Sequence, residues 1–321
     1  MTRDATPPIG EFGLIDWIRR NTGETRQGTV QGIGDDCAIF RPSPGAELLV
    51  TTDMLLDGRH FHLERDGPEA VGYKAMGVNL SDIAANAGVP RAAVVSVALP
   101  RTGGIALAQG LHAGLRRMAD RFDVDLIGGD TNAWDGSLIV NVALLGETTV
   151  HGPVRRSGAQ VGDWVLVTGP LGGSFFRGRH LCPEPRIKEA LALNTQARLR
   201  AMIDISDGLS SDLGHILEES GGLGALLDES AIPIHADAID QSRDDGLPPL
   251  DHALHDGEDF ELCLVASPED ARRLLAHPPE PAKLYRVGEI TSEPGLRLRG
   301  ADGTTAVLEP RGFDHFRNVG A

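Results

Sequence analysis

At 321 residues the chain is long enough for two domains of ordinary size, and with only 4 % aromatic residues the packing falls to Val, Leu, Ile and Ala. A formal charge of −16 argues against a sequence-independent grip on nucleic acid, which needs clustered Lys and Arg to displace counterions, so small-molecule partners are expected. Cys37, Cys182 and Cys263 lie far apart without a CxxC pair, which excludes a recognisable zinc knuckle or redox pair and suits a reducing cytoplasm. The start, MTRDATPPIG, lacks the apolar core of a signal peptide and no run approaches the length of a membrane span, so a cytoplasmic location with no membrane contact is expected. Basic residues are almost all Arg, the lysines being Lys74, Lys188 and Lys283, and Arg suits bidentate contact with phosphate.

In chain order, residues 11–20 carry Phe12, Leu14, Ile15, Trp17 and Ile18 at amphipathic helical spacing. Strands are expected at 37–40 and 47–52, the second ending directly on Asp53. Pro68 at a first helical turn opens a helix to about 87, in which Gly72, Ala75, Ala84 and Ala85 allow close packing against a sheet. Asn79 and Asp82 share one face of it. Residues 93–99 read as a buried strand, 105–122 as a helix, 124–127 as a strand stopping at Gly128-Gly129-Asp130, and 137–146 as a longer strand. Composition shifts near 151–162, which divides the chain into domains at 1–150 and 151–321. The second half reads as strand 163–168, helix 184–201, strand 202–205, helix 208–219, strands 225–228 and 260–266, helix 268–277, and strands 284–290 and 296–299. This is an α/β or α+β pattern without repeats.

Five acidic segments dominate: Gly32-Ile33-Gly34-Asp35-Asp36, Thr51-Thr52-Asp53, Asn79-Leu80-Ser81-Asp82, Gly128-Gly129-Asp130 and Asp204-Ile205-Ser206-Asp207-Gly208. They read as loops, most of them directly after strands. Asp and Gly are also common turn and cap residues, but so many carboxylates with so little lysine nearby point to divalent cations. Mg²⁺ prefers oxygen ligands and shares its shell with substrate phosphates, so the pattern suggests metal-assisted phosphate chemistry. No Gly-Lys dipeptide occurs, so no P-loop is present, and G-x-G-x-x-G, G-x-S-x-G and H-E-x-x-H are missing as well.

Taken in order, GIGDDCAIF, LLVTTDMLLDGRHF, GYKAMGVNLSDIAANAG, DLIGGDTNAWDG, RRSGAQVGDWVLVTGPLGG, AMIDISDGLSSDL, HDGEDFEL and GFDHF closely resemble the thiamine-monophosphate kinases. The likeness runs over nearly the whole chain, and TTDMLLDGRHF, NLSDIAANAG and GEDFEL separate it from the wider aminoimidazole-ribonucleotide synthetase superfamily. The resemblance implies a two-domain synthetase-like fold, an N-terminal sheet forming a barrel with its twin in a homodimer, and a C-terminal α/β domain that closes over the nucleotide. It implies ATP- and Mg²⁺-dependent phosphorylation of thiamine monophosphate to thiamine diphosphate. Several Mg²⁺ ions would be held by Asp36, Thr51, Thr52, Asp53, Asp82, Asp130, Asp204 and Asp207, with Asp36, Asp53, Asp82, Asp130 and Asp207 central to catalysis. Gly129, Asp130, Arg156 and Ser206 would contact ATP; His60, Glu258 and Phe313 would contact thiamine monophosphate.

Three departures stand out. The GGDTT-x-G pattern of the family is two residues longer here, through Asn132-Ala133-Trp134-Asp135-Gly136. His112 stands where the family commonly has an aromatic, often Tyr, near adenine. The stretch from Ser174 to Arg179 is shorter than usual. Two rivals remain: another ATP-using member of the superfamily, selenophosphate synthetase-like, although no reactive Cys with Lys precedes Gly32, and a non-catalytic metal- or nucleotide-binding regulator.

Overall fold

The computed structural model describes residues 11–26, 28–101 and 103–312. The chain divides into two compact units: the first holds residues up to Asn79 together with Pro90–Glu147, the second holds Leu80–Val89 and everything from Thr148. Among the described residues no helix is long and apolar enough to cross a membrane.

The first unit contains α1 (Glu11–Asn21), β1 (Thr29–Gln31), β2 (Ile39–Phe40), β3 (Leu48–Leu56), most of α2 (Leu63–Ala85), β4 (Val89–Pro100), α3 (Gly104–Arg121), β5 (Asp125–Trp134) and β6 (Ile139–Glu147). Its four-stranded sheet has the order β3-β6-β4-β5. β3 and β6 run antiparallel from Leu48 opposite Glu147 to Leu56 opposite Ile139, whereas β4 and β5 are parallel. Along β6, Val140, Val142 and Leu144 are wholly buried and alternate with half-exposed Ile139, Asn141, Ala143 and Leu145, the period-two pattern of a sheet with one covered face.

Gly67, at φ 75 and ψ 157, breaks the first turn of α2 from the straight helix that Pro68 opens. Proline suits that position because it fixes φ and needs no amide partner there. Gly72 does something other than the pattern predicts. A Cβ on Gly72 would lie 2.1 Å from the Leu111 carbonyl oxygen, and one on Gly114 would lie 1.9 Å from that of Glu69. Gly72 therefore packs against a helix, α3, backbone to backbone, and not against the sheet.

The second unit contains β7 (Trp164–Val167), α4 (Ile187–Gln196), β8 (Leu199–Asp204), α5 (Leu209–Glu219), β9 (Gly224–Asp228), α6 (Ala236–Asp245), α7 (Pro249–His255), β10 (Leu262–Ala266), α8 (Pro268–Ala276), β11 (Tyr285–Thr291), β12 (Gly295–Arg299) and β13 (Thr305–Val307). Its seven-stranded sheet has the order β13-β12-β9-β11-β7-β10-β8, antiparallel except for the β9–β12 pair. Val165, Val167, Ala201, Ile203, Cys263 and Val265 pack against Leu209, Leu213 and Ile216 of α5 in one core. The start of α8 is written locally: Pro268 occupies its first turn and the Ser267 side chain accepts the Asp270 N–H.

The helix expected over 184–201 is cut to α4 because residues 199–204 pair with β10, Leu199 opposite Ala266 and Asp204 opposite Leu262. α6 and α7 escaped the sequence reading. The first, ADAIDQSRDD, is too polar to show an apolar stripe, and the second is only 7 residues long.

Candidate active site

Of the five acidic segments only the first and last are loops. Asp53 lies in the middle of β3, opposite Val142, and not at the strand's end, because pairing with β6 carries the strand on to Leu56. Its backbone N–H donates to Asn79 Oδ1 at 3.1 Å, and the buried Asn79 amide in turn donates to the Ala75 carbonyl at 2.9 Å. Thr51 and Asp53 share one face of the strand; Thr52 points to the other, where its hydroxyl donates to Asn141 Oδ1 at 3.2 Å. Asp36 is exposed in a bend, its N–H donating to Asp35 Oδ1 at 2.8 Å.

Gly128-Gly129-Asp130 does not terminate β5, which runs on to Trp134 alongside β4; exposed Asp130 sits opposite Ser96. A Cβ on Gly129 would stand 1.9 Å from the Val95 carbonyl oxygen, so strand packing alone demands glycine there. The two extra residues sit where the strand turns back. Trp134 Nε1 donates to the Ser137 carbonyl at 3.0 Å, its ring covers Gly136, and Arg101 pairs with Asp135 at 2.7 Å.

An apolar cleft in this unit is lined by Ile15 and Ile18 of α1, Val95 and Val97 of β4, and His112 of α3, with Gly129 at its edge. His112 is buried, meets the Trp17 ring edge-on at 5.3 Å, and is held neutral at pH 7 because burial, with Arg116 nearby, pushes its pKa down to about 4. His60 caps a turn: Nδ1 accepts the Leu56 N–H at 3.0 Å, which leaves the neutral ring's proton on Nε2, and the buried Lys74 ammonium donates to the His60 carbonyl at 2.7 Å.

In the second unit the carboxylates converge more tightly. Asp204, 3 % exposed at the end of β8, accepts the Ser81 hydroxyl on Oδ2 at 2.7 Å. Burial and the neighbouring Asp82 charge raise its pKa to about 7, against the opposing effects of the Ser81 hydrogen bond and Arg156. The loop after β8 carries Ser206 and Asp207, and ligand atoms of Asp207, Asp212 and His215 all lie within 4.8 Å of one another. Glu258 donates its N–H to the Ser206 carbonyl at 2.7 Å, and Phe260 donates to that of Ile205 at 2.9 Å. Both Glu258 and Phe260 adopt left-handed backbone, φ 50 and 53, a strained arrangement for non-glycine residues. Gly312 packs on Ser211 and the Asp207 carbonyl; Phe313 lies outside the described residues.

This unit thus brings together Asp82, Arg156, Asp204, Ser206, Asp207 and Glu258, the first unit Thr51, Asp53 and Asn79. Ser81 and Asp212 are additions that the sequence reading passed over. The signal for Asp212 was its position one turn into the helix that follows Ser206-Asp207-Gly208.

Residues 34–148 match the family described as AIR synthase related protein, N-terminal domain, and residues 177–301 match its C-terminal domain. Two α/β units with acid-bearing strands and loops therefore form a two-domain protein of the AIR synthase-related class. The chain is 37 % identical to the thiamine-monophosphate kinase of Rhodopirellula baltica over 312 residues, 95 % of this chain and 97 % of that protein. It also superposes on the crystal structure of thiamine-monophosphate kinase from Stenotrophomonas maltophilia K279a, with TM-score 0.76, 34 % identity, and coverage of 93 % of this chain and 98 % of that one. AaThiL complexed with AMPPCP and TMP is similar at TM-score 0.75 and 29 % identity, over 96 % of this chain and 97 % of that one. The chain belongs to the thiamine-monophosphate kinase family.

Proposed function

We infer that this protein transfers the γ-phosphoryl group of ATP to the terminal phosphate of thiamine monophosphate, giving thiamine diphosphate and ADP. The observation that carries the reading is Asp204, a buried carboxylate bonded to Ser81 with the Asp82 charge beside it, in a chain that matches the kinases along its length. A buried acid opposed by a second acid is costly unless a cation compensates it.

The donor set consists of hard oxygens and fits Mg²⁺. Asp36, Thr51, Asp53, Asp82, Asp130, Asp204 and Asp207 would hold the Mg²⁺ ions. When bound, Mg²⁺ neutralises phosphate charge, which is most of what a loose phosphoryl transfer requires. Arg156 and Ser206 address the ATP phosphates, and Gly129 and His112 border the apolar cleft that takes the base. His60, with its proton on Nε2, donates toward the monophosphate, Glu258 complements the thiazolium charge, and Phe313 stacks on its ring. A phosphate acceptor is already ionised near neutral pH, so no side chain is assigned as general base. Charged, water-soluble substrates fit a cytoplasmic location.

Thiamine monophosphate is therefore expected to be phosphorylated and free thiamine not, because an alcohol acceptor would need deprotonation. Steady-state titration of ATP against each acceptor tests this, with His60→Ala expected to raise KM for thiamine monophosphate more than for ATP. Equal use of free thiamine would overturn the reading.

The homodimer rests on the uncovered face of the first sheet. Leu48, Val50, Met54 and Leu56 are 48 %, 68 %, 54 % and 38 % exposed on one side of β3, with Leu145, Ala143 and Ile139 continuing the face on β6. Such a surface calls for a partner, and a second copy of the sheet offers the same apolar face to form a barrel. Light scattering at micromolar concentration is expected to give a dimer, and Val50→Glu with Met54→Glu a 34 kDa monomer. A monomeric parent chain would remove this part of the proposal.

A further inference from the structure

Asp212 belongs to neither set of ligands proposed above, yet it bonds three successive amides of the loop after β8. It lies in the first turns of α5, 2 % exposed, and its Oδ2 accepts the backbone N–H groups of Ser206, Asp207 and Gly208 at 3.0, 3.0 and 3.1 Å. Three consecutive amides reach one oxygen only if the backbone curls around it, and Gly208, at φ 108, permits the curl. The other side of the loop is clamped as well. The Ser206 carbonyl accepts the Glu258 N–H at 2.7 Å, and a Cβ on Gly257 would lie 2.6 Å from that same oxygen.

We propose that Asp212 is a positioning residue for phosphoryl transfer, fixing the directions of the Ser206 and Asp207 side chains by collecting the three amides of their loop. The proposal rests on the assignment of Ser206 and Asp207 to nucleotide and metal. An acid placed only to favour the start of a helix would act on stability alone. A positioning acid acts on ligand geometry, to which catalysis is sensitive at the ångström scale.

The test uses the full chain with Asp212→Asn, which keeps an acceptor oxygen without the charge, and Asp212→Glu, which keeps the charge on a longer arm. Ile216→Val, a core truncation in the same helix, serves as the control. Both Asp212 variants are expected to speed amide exchange at 206–208 by about tenfold or more, to weaken Mn²⁺ binding in the presence of AMPPCP by about tenfold, and to lower kcat by about tenfold with KM for thiamine monophosphate within about threefold. The control lowers the melting temperature and moves none of these. Asp212 variants that only melt earlier, like the control, would overturn the proposal. Should neither Asp212 variant fold, exchange in the unaltered chain decides. Amides 206–208 protected well beyond exposed loop amides support the proposal, and unprotected ones reject it. An unaltered chain that binds Mn²⁺ and AMPPCP but fails to phosphorylate thiamine monophosphate defeats the kinase reading, while exchange and titration still judge the role of Asp212.

Discussion

Asp82→Asn and Asp130→Asn are each expected to lower turnover at saturating ATP by about 100-fold or more, equivalent to about 2.7 kcal/mol or more of barrier, while the protein stays folded. Asparagine has nearly the shape of aspartate and keeps one acceptor oxygen, so the change removes charge and a metal-competent oxygen with little else. Asp82 is half-buried at the end of α2 and Asp130 is exposed in β5, so neither substitution opens a cavity. Steady-state kinetics across a Mg²⁺ series, with a melting curve for each variant, checks both. Undiminished turnover in either variant would mean that its carboxylate holds no catalytic metal.

The second large effect is on stability without metal. Asp204 has its pKa raised to about 7 by burial and by Asp82. A carboxyl held above its ordinary value favours the protonated folded form. Its contribution is complete below about pH 4 and is lost as the pH rises through about 7. At pH 8 both acids are ionised side by side, at a cost of about 1–4 kcal/mol. Asp204→Asn keeps an acceptor for Ser81 and removes that cost. The metal-free variant is expected to melt several degrees above the metal-free parent at pH 8, with the gap narrowing as the pH falls below about 7 and closing only near pH 4. Added Mg²⁺ should raise the melting temperature of the parent more than that of the variant. A gap independent of pH would show that Asp204 is ionised throughout, and equal responses to Mg²⁺ would remove it from the metal ligands.

The membership of this chain in its family was legible in the order of its motifs, because TTDMLLDGRHF, NLSDIAANAG and GEDFEL name their residues without reference to shape. The secondary structure was legible wherever local rules decide it. Pro68 opens the straight part of α2, Ser267-Pro268 starts α8, and the apolar run read as a strand over 137–146 contains β6. Less legible was what the acidic residues sit on. Two of the segments read as loops, Thr51-Thr52-Asp53 and Gly128-Gly129-Asp130, are the interiors of strands.

By itself the sequence determined composition class, the α/β pattern, and which carboxylates to watch, since each depends on residue type and spacing along the chain. Tertiary structure decided the rest through pairing between distant segments. β6 carries β3 past Asp53, β10 claims residues 199–204 from a helix, and α3 takes the Gly72 face that was expected to meet a sheet. The bond of Ser81 to Asp204 spans 123 positions and appears in no local pattern. The raised pKa of Asp204 follows from burial and from a neighbour far away in sequence, two quantities that exist only once the chain has closed on itself.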